Sequence, residues 1–273
     1  MYRYLRYVPK NHLSRAIGGL VHVRWPQPIA RRLVSWFANT YQIDVDAATK
    51  PLHEYPSIGH FFTRDLREGL RPIESELVSP VDGTLRGFGM IRDNRLEQIK
   101  DKSYSVASFI GDEEQAARYE NGVYFNLYLS PQDYHHVHSP TTGNVARSVH
   151  IPGALWPVND WSLANIDELF SINERVVTYL DSPRFGRVAV VMIGATNVGK
   201  ISVTYDAFLS NEARARTTAI RNYHPPRPLQ AGDRLGTFHM GSSVVVLIEP
   251  NRIDVEKVRL ESGKKVRHGA AIV

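Results

Sequence analysis

Three short segments of the chain carry residue types that can do nucleophilic chemistry. Asp82 stands at an Asp-Gly turn, Tyr134-His135-His136-Val137-His138 has three histidines in four positions, and Gly241-Ser242 leads into an apolar run. A serine hydroxyl becomes a useful nucleophile when a base removes its proton and a carboxylate orients that base. Asp82, His138 and Ser242 therefore form a candidate catalytic set, although Ser242 lies in no Gly-x-Ser-x-Gly elbow.

The histidine cluster could also bind a metal ion. On a strand, His136 and His138 would share one face and His135 would point away from them. No third ligand stands at a recognised spacing, and the chain has no His-Glu-x-x-His pattern. A polar loop with hydrogen-bonded histidines is the better interpretation, so we predict no metal site.

Composition sets the class of protein that must hold these residues. The chain has 273 residues, with 33 Lys and Arg against 28 Asp and Glu, which gives a formal charge of +5. An apolar content of 42% and a charged content of 22% are ordinary for one large or two small globular domains. The absence of cysteine excludes disulfides, thiolate catalysis and cysteine-based zinc sites. No run approaches the roughly 18 apolar residues that a membrane-spanning helix needs.

From about residue 78 onward, the apolar pattern predicts β structure. Val123 to Leu129 alternates as a half-buried strand does, and the continuous runs Val188 to Ile193 and Ser243 to Ile248 indicate buried strands. Two helices are predicted in this part of the chain, at Glu113 to Tyr119 and Leu163 to Leu169. We predict an α+β fold that is mainly β, with a β-sandwich or barrel-like core and an N-terminal helical layer.

The N-terminal region is basic and amphipathic. Residues 1–43 contain seven Lys and Arg and no acid before Asp44, and apolar residues recur at helical spacing in two stretches. Basic residues such as Arg31 and Arg32 beside Trp36 and Phe37 are typical of a helix that lies on anionic lipid. A helical hairpin packed on its own domain explains the same pattern, so the residues alone leave both interpretations open.

In combination, these segments resemble the phosphatidylserine decarboxylases, a family of pyruvoyl-dependent, self-processing enzymes. The resemblance covers most of the chain, and its motifs occur in the family's order. The processing motif is Met240-Gly241-Ser242-Ser243 here, a variant of the better-known Leu-Gly-Ser-Thr. His136 occupies a position often held by another basic residue, so no substrate role is carried over to it. The other matching stretches are Phe61 to Arg67 with Arg71-Pro72-Ile73, Ser79 to Gly83, Leu129 to Pro140, Asn173 to Val176, Val191 to Gly199 and Gly236 to Phe238.

The resemblance implies a role for each residue of the candidate set. His138, oriented by Asp82, would take the proton of the Ser242 hydroxyl, which would attack the Gly241 carbonyl in an autocatalytic serinolysis. The chain would be cleaved after Gly241, and Ser242 would become a covalent pyruvoyl group. This cofactor is made from the chain itself.

The implied activity is decarboxylation of phosphatidylserine to phosphatidylethanolamine and CO2, through a Schiff base between the pyruvoyl group and the substrate amine. A proton must then reach the former α carbon, and the resemblance offers His135 as the candidate for this step. The residues alone allow a second interpretation, in which His135 only supports His138.

The resemblance also implies how the protein is organised. A basic, helical, membrane-associating region would span residues 1–75, and a β-rich catalytic domain would span residues 76–273. Cleavage would give a β chain of residues 1–241 and an α chain of residues 242–273, held together as a heterodimer that pairs into a homodimer. Because the substrate stays in the bilayer, the protein would dock peripherally on an anionic membrane surface, at the cytoplasmic face of the cell membrane.

Two questions stay open in the sequence. Trp156 and Trp161 could form a surface for acyl chains or could pack in the core. The chain could also be an unprocessed, non-catalytic relative that only binds lipid, although its retention of Asp82, His138 and Ser242 argues against this alternative. A nucleic-acid binder is disfavoured, because a charge of +5 is modest and no binding motif accompanies it.

Overall fold

The computed structural model describes residues 17–99, 102–158, 160–196, 200–210, 217–239 and 242–273. Gly241, and with it the predicted scissile bond, lies outside these residues, as do the basic positions 3–15. The backbone of Ser242 is described, and it begins a strand.

An eight-stranded antiparallel sheet forms the largest layer of the fold. The strand that begins at Ser242 lies in the middle of this sheet. It is apolar from Val244 to Ile248, as expected for a strand that is buried on both faces. From one edge to the other, the strands are β10 (Ala219–Leu229), β6 (Gly143–Ile151), β7 (Arg175–Ser182), β8 (Gly186–Ile193), β12 (Ser242–Ile248), β4 (Val123–Leu129), β1 (Gly83–Met90) and β13 (Lys265–Val266).

A three-stranded sheet packs on one face of the large sheet. Its order is β5 (His136–His138), β11 (Arg234–Phe238) and β9 (Ile201–Val203). The two sheets approach closely at Gly236 of β11, where a side chain would not fit: a Cβ added there would lie 2.9 Å from the Met192 sulfur of β8. This packing gives a two-layer β core, and a separate hairpin joins β2 (Arg95–Ile99) to β3 (Lys102–Ser105).

The N-terminal layer is built on helix α1 (Gln27–Thr40) and the short helix α2 (Ile58–Phe62), after a helical stretch at residues 17–21. Helix α1 follows Pro26 and contains Pro28 at its start, where its missing N–H costs no helical hydrogen bond. A 3₁₀ turn at Leu52–Glu54 packs beside α1.

Helix α1 has apolar residues on two of its faces. The inward face carries Val34 and Phe37, which join Phe61 and Phe62 in a small hydrophobic cluster. The outward face carries Ile29, and also Trp36, which is 59% exposed. The predicted apolar stripe therefore mixes residues that the fold separates, because neighbours on a helix point about 100° apart.

Short helices cover part of the other face of the large sheet. Arg175 of β7 is buried there and donates hydrogen bonds to the carbonyls of Ser108 and Phe109. Strand β4 is buried on both faces, so the sequence-based prediction that Val123 to Leu129 is only half-buried is corrected. The helices are α3 (Val106–Ile110), α4 (Glu113–Ala116), α5 (Asp160–Asn165) and α6 (Leu169–Ile172), with 3₁₀ turns at Ala117–Tyr119 and Val255–Lys257.

The predicted mainly β, α+β fold is confirmed. The single helix predicted at Leu163 to Leu169 is interrupted, because Glu168 has a φ of 50° and a left-handed residue cannot continue a right-handed helix. The division at residue 75 stays a prediction. Among the described residues, no helix combines the length and the apolarity that a membrane crossing requires.

Candidate active site

The candidate site lies where three neighbouring strands of the large sheet begin or end. Ser242, the first residue of β12, pairs with Leu129, the last residue of β4. On the other side of β4, Thr84 of β1 pairs with Tyr128. Adjacent strands lie about 4.8 Å apart, so the backbones of Ser242 and of the start of β1 are separated by about 10 Å. Asp82 immediately precedes β1 and therefore lies at the same end of the sheet as Ser242.

Asp82 is held by a fixed set of donors. Arg71 grips both carboxylate oxygens, with Nε 3.0 Å from Oδ1 and Nη2 2.5 Å from Oδ2. The backbone N–H of His268 donates a third hydrogen bond to Oδ1 at 2.8 Å. A bidentate, charge-assisted pair of this kind fixes the orientation of a carboxylate that is only 8% exposed.

The tautomer of His138 follows from its hydrogen bonds. Its Nδ1 lies 2.7 Å from the carbonyl of Gly232, which can only accept, so Nδ1 carries the proton. Its Nε2 is then free to accept from the Tyr134 hydroxyl at 3.3 Å. Gly232 has a φ of 85°, a conformation that favours glycine and that aims its carbonyl at the ring. Burial, followed by the influence of His268, lowers the pKa of His138 to about 3, so the ring is neutral.

His268 connects Asp82 to His138. Its ring stacks on the ring of His138, with the centroids 3.7 Å apart and the planes within 11°, while its backbone binds Asp82. Both ring nitrogens of His138 are engaged elsewhere, so the structure brings Asp82 and His138 to one site without a direct hydrogen bond between them.

His135 lies in the interior between the sheets and the N-terminal layer. Its side chain is completely buried, its Nε2 donates to the carbonyl of Ser130 at 3.1 Å, and its ring stacks on Phe62 at 3.8 Å. Burial, and then the nearby Arg64 charge, lower the pKa of His135 well below its usual value. The neutral ring therefore presents an unprotonated Nδ1 that has no hydrogen-bond partner among the described residues.

His136 is held as a structural residue. Its Nδ1 accepts from the Thr237 hydroxyl at 2.7 Å, and its Nε2 donates to the carbonyl of Thr63 at 3.1 Å. Burial, and then the Arg234 charge, lower its pKa to about 4. Within the described ranges, no three His, Asp or Glu side chains are arranged to hold a metal ion.

The segment that follows α2 clamps the loop that carries the histidines. Arg64, which is 4% exposed, donates to the carbonyls of Gln132 and Asp133 at 2.9 and 3.3 Å. The loop is also tied to the strand that leads to Ser242, because the backbone N–H of Phe238 donates to the carbonyl of His135 at 3.0 Å. The histidine loop is thus fixed from both sides.

The proposed docking residues of α1 differ in position. Arg31, Arg32 and Trp36 are exposed, as a docking surface requires. Phe37 is only 5% exposed and packs against Phe62, with the ring centroids 6.3 Å apart. Phe37 is therefore unavailable to lipid, and its predicted docking role is corrected.

Trp156 and Trp161 differ in their exposure to solvent. Trp156 is buried in the main hydrophobic cluster, and its backbone N–H donates to the Asn173 side chain at 3.0 Å. Trp161 is 45% exposed. Core packing therefore accounts for Trp156, whereas Trp161 belongs to the surface.

Comparison with known proteins identifies the family of the chain. Residues 58–273 match the family model of phosphatidylserine decarboxylase. The chain belongs to the phosphatidylserine decarboxylase family. It is 42% identical over 269 residues to the phosphatidylserine decarboxylase proenzyme of Anaeromyxobacter sp. (strain K), covering 97% of this chain and 94% of that protein. It is 38% identical over 252 residues to the proenzyme of Myxococcus xanthus (strain DK1622), covering 91% and 89%, and 37% identical over 269 residues to that of Brevibacillus brevis, covering 97% and 94%.

Sequence reasoning gave no role to several residues of this decarboxylase-family site. Arg71 and Phe62 stand inside stretches that carried the resemblance, but their contacts depend on the folded chain. His268 lies near the C-terminal end of the sequence, and no spacing rule connects it to His138. Tyr134 is adjacent to the histidines in the sequence, and its hydroxyl was the one local sign of a hydrogen bond to His138.

Proposed function

We propose that this protein decarboxylates phosphatidylserine to phosphatidylethanolamine after cleaving itself between Gly241 and Ser242. The observation that carries the proposal is the convergence of Ser242, at the start of β12, with a loop of buried, neutral histidines at one end of the sheet. Family membership supports the substrate, because the relatives are named for it. Asp82, His138 and Ser242 are the proposed processing set.

His138 supplies the base for the first step. With Nδ1 protonated and donating to Gly232, Nε2 carries the lone pair that would take the proton of the Ser242 hydroxyl once the Tyr134 hydroxyl, which donates to it at 3.3 Å, moves away. The oxygen bonds to the Gly241 carbonyl carbon, the peptide C–N bond breaks, and the proton goes to the departing nitrogen. A base with a pKa of about 3 is weak, which is acceptable for a step that each molecule performs once. Loss of the Ser242 Cα proton, with departure of the Gly241 carboxylate from Cβ, then breaks the new ester. The resulting imine reacts with water, and its nitrogen leaves as ammonia.

The pyruvoyl group would supply a ketone to condense with the substrate amine and to accept the electron pair left by CO2. The residues around Ser242 fit such a group, because His135 offers an orphaned, buried ring nitrogen close to the end of β4. The low pKa of His135 keeps Nδ1 unprotonated at rest. We propose that this unprotonated Nδ1 of His135 takes the proton that the substrate ammonium loses when its nitrogen becomes a nucleophile, and then transfers that proton to the product carbon.

The two products of cleavage would stay together. The proposed α chain begins with β12, which pairs with β4 on one side and with β8 on the other. The backbone of His268 adds a bond to Asp82 of the proposed β chain. Pulling the α chain out would open these two pairings and also the pairing of β13 with β1, so an αβ heterodimer is expected. We propose that two heterodimers form a homodimer.

We also propose that the N-terminal layer docks peripherally on an anionic membrane, at the cytoplasmic face of the cell membrane. Exposed apolar side chains at Trp25, Ile29 and Trp36 lie in a stretch with no acidic residue before Asp44. Helices that lie in a lipid interface typically combine apolar side chains, which enter the lipid, with neighbouring arginines, which contact the anionic headgroups.

An intact mass spectrum of the purified protein tests the processing step. We expect two chains divided after Gly241, with the smaller one lighter than a hydrolysis product by one molecule of ammonia. Ser242→Ala should remain one chain and release no CO2 from phosphatidylserine. A wild-type protein that stays uncleaved and inactive, yet binds lipid vesicles, would instead identify a non-catalytic lipid-binding relative.

A further inference from the structure

A basic groove runs along the surface of the N-terminal layer, beside helix α1 and the 3₁₀ turn Leu52–Glu54. We propose that this arginine groove binds the phosphate of an anionic phospholipid other than the substrate molecule in the active site. The inference rests on the proposed docking to membranes and names the lipid group that the docking surface would hold. The groove is open, encloses about 760 Å³ and is lined by Gln27, Pro28, Arg31, Arg32, Ser35 and His53.

Within the described part of the chain, no carboxylate pairs with the arginines of this groove. Among the described residues, neither Arg31 nor Arg32 has an ion-pair partner, whereas other arginines such as Arg187 are paired with a carboxylate. The neighbouring Glu54 is not among the residues that line the groove. Two unpaired guanidinium groups, with amide and hydroxyl groups beside them, offer the donors that bind phosphate oxygens.

The surroundings of the groove favour a lipid over a soluble anion. On the same helix, Ile29 is 44% exposed and Trp36 is 59% exposed, and both are costly to leave in water. A free phosphate would neutralise the arginines but leave these side chains hydrated. An anionic phospholipid in a bilayer satisfies both needs, because its phosphate reaches the groove while the apolar side chains enter the interface.

The proposed reaction gives a reason for a separate lipid site. Loss of CO2 removes the carboxylate of phosphatidylserine, so a headgroup with one negative charge becomes a headgroup with none. A protein held only by its substrate would lose electrostatic attraction as product accumulates. A groove that binds a non-substrate anionic lipid keeps the protein on the surface throughout the reaction.

Vesicle partitioning of the purified, full-length protein tests this site. The probes are vesicles of phosphatidylcholine alone and of phosphatidylcholine mixed with phosphatidylglycerol, which is anionic and is not the substrate. The test variant is Arg31→Gln/Arg32→Gln, and the charge-matched control is Arg252→Gln/Arg259→Gln, which removes two exposed arginines outside the N-terminal layer. Binding of the test variant to the anionic vesicles should weaken about thirtyfold, or about fivefold for each arginine that faces an anionic membrane.

The control variant should bind the anionic vesicles almost as the wild type does. An equal loss in both variants would mean that net charge alone is responsible, and it would overturn the groove. If excess inorganic phosphate removes the wild-type preference for phosphatidylglycerol, the ligand is the free anion, and the lipid assignment is wrong. Chain cleavage and activity on detergent-dispersed phosphatidylserine separate the two proposals. If only the groove proposal is wrong, every variant is still cleaved and active. If the proposed function is wrong, neither cleavage nor activity is seen in any variant.

Discussion

Apolar side chains are usually buried and titratable side chains are usually exposed. The N-terminal layer departs from this rule by exposing apolar side chains, and the β core departs from it by burying histidines. Six of the twelve large apolar side chains that are exposed in the described residues lie between positions 20 and 41. The core does the reverse and buries His135, His136 and His138. Exposed apolar surface indicates a contact with something apolar, whereas buried titratable groups with shifted pKa values indicate chemistry. The difference separates the part of the molecule that we propose meets the membrane from the part that we propose carries out the reaction.

Helix α2 joins these two regions. Phe62 contacts Phe37 of the N-terminal layer at 6.3 Å between ring centroids and stacks on His135 of the core at 3.8 Å. The exposed Trp36 is the immediate neighbour of Phe37 along α1. A movement of α1 on the membrane would therefore reach His135 through two aromatic contacts, which makes α2 the place where docking and chemistry can affect each other.

The largest expected effect comes from removing the proposed base of the core. His138→Ala should slow self-cleavage by about a hundredfold or more, the usual contribution of a general base. His136→Gln is the matched control, because His136 is similarly buried but hydrogen-bonds to Thr237 and Thr63, with Asp65 3.6 Å from its Nε2. The rate at which two chains appear on a denaturing gel measures the effect. Equal rates in the two variants would contradict the assignment of the base.

The neighbouring pair on α1 tests the N-terminal layer. Phe37→Ala should lower the free energy of unfolding by about 3 kcal/mol, because it empties a buried site. Trp36→Ala should leave the free energy of unfolding within about 0.5 kcal/mol of the wild type, as exposed substitutions do, and should weaken vesicle binding. Urea unfolding and vesicle sedimentation of both variants make the comparison. If Trp36→Ala binds vesicles as the wild type does, the docking surface lies elsewhere.

The sequence predicted the strands of the core because continuous β-branched runs such as Val244 to Ile248 allow little else. It could not decide which face of α1 turns inward, because Trp36 and Phe37 are both aromatic and only the packing against Phe62 separates them. It grouped Asp82, His138 and Ser242 by their residue types, and the resemblance supplied their roles. The stacking of His268 on His138 was invisible, because it depends on how the C-terminal segment returns to the sheet.

Buried histidines should make the protein less stable in acid. The pKa of His136 is about 4 in the folded chain and about 6.5 when unfolded, so between these values the unfolded chain binds a proton that the folded chain does not. Stability therefore falls as the pH drops below about 6.5, by about 2 kcal/mol for this one group at pH 5. Urea midpoints measured against pH should fall less steeply for His136→Gln than for the wild type. Parallel curves would show that His136 is protonated in the folded state.

The smallest expected effect concerns the contact that joins the two regions. Phe62→Leu removes the ring that stacks on His135 but keeps an apolar side chain, so kcat should fall about tenfold through misplacement of the imidazole. Water that enters the vacated space should also raise the pKa of His135, moving the acid limb of the kcat profile to higher pH. Phe61→Leu is the control, because Phe61 is equally buried but packs on Tyr55 and beneath the Arg64 guanidinium rather than on His135. If both variants lose the same activity and keep the wild-type pH profile, Phe62 acts only as packing, and the link between docking and chemistry must run through another contact.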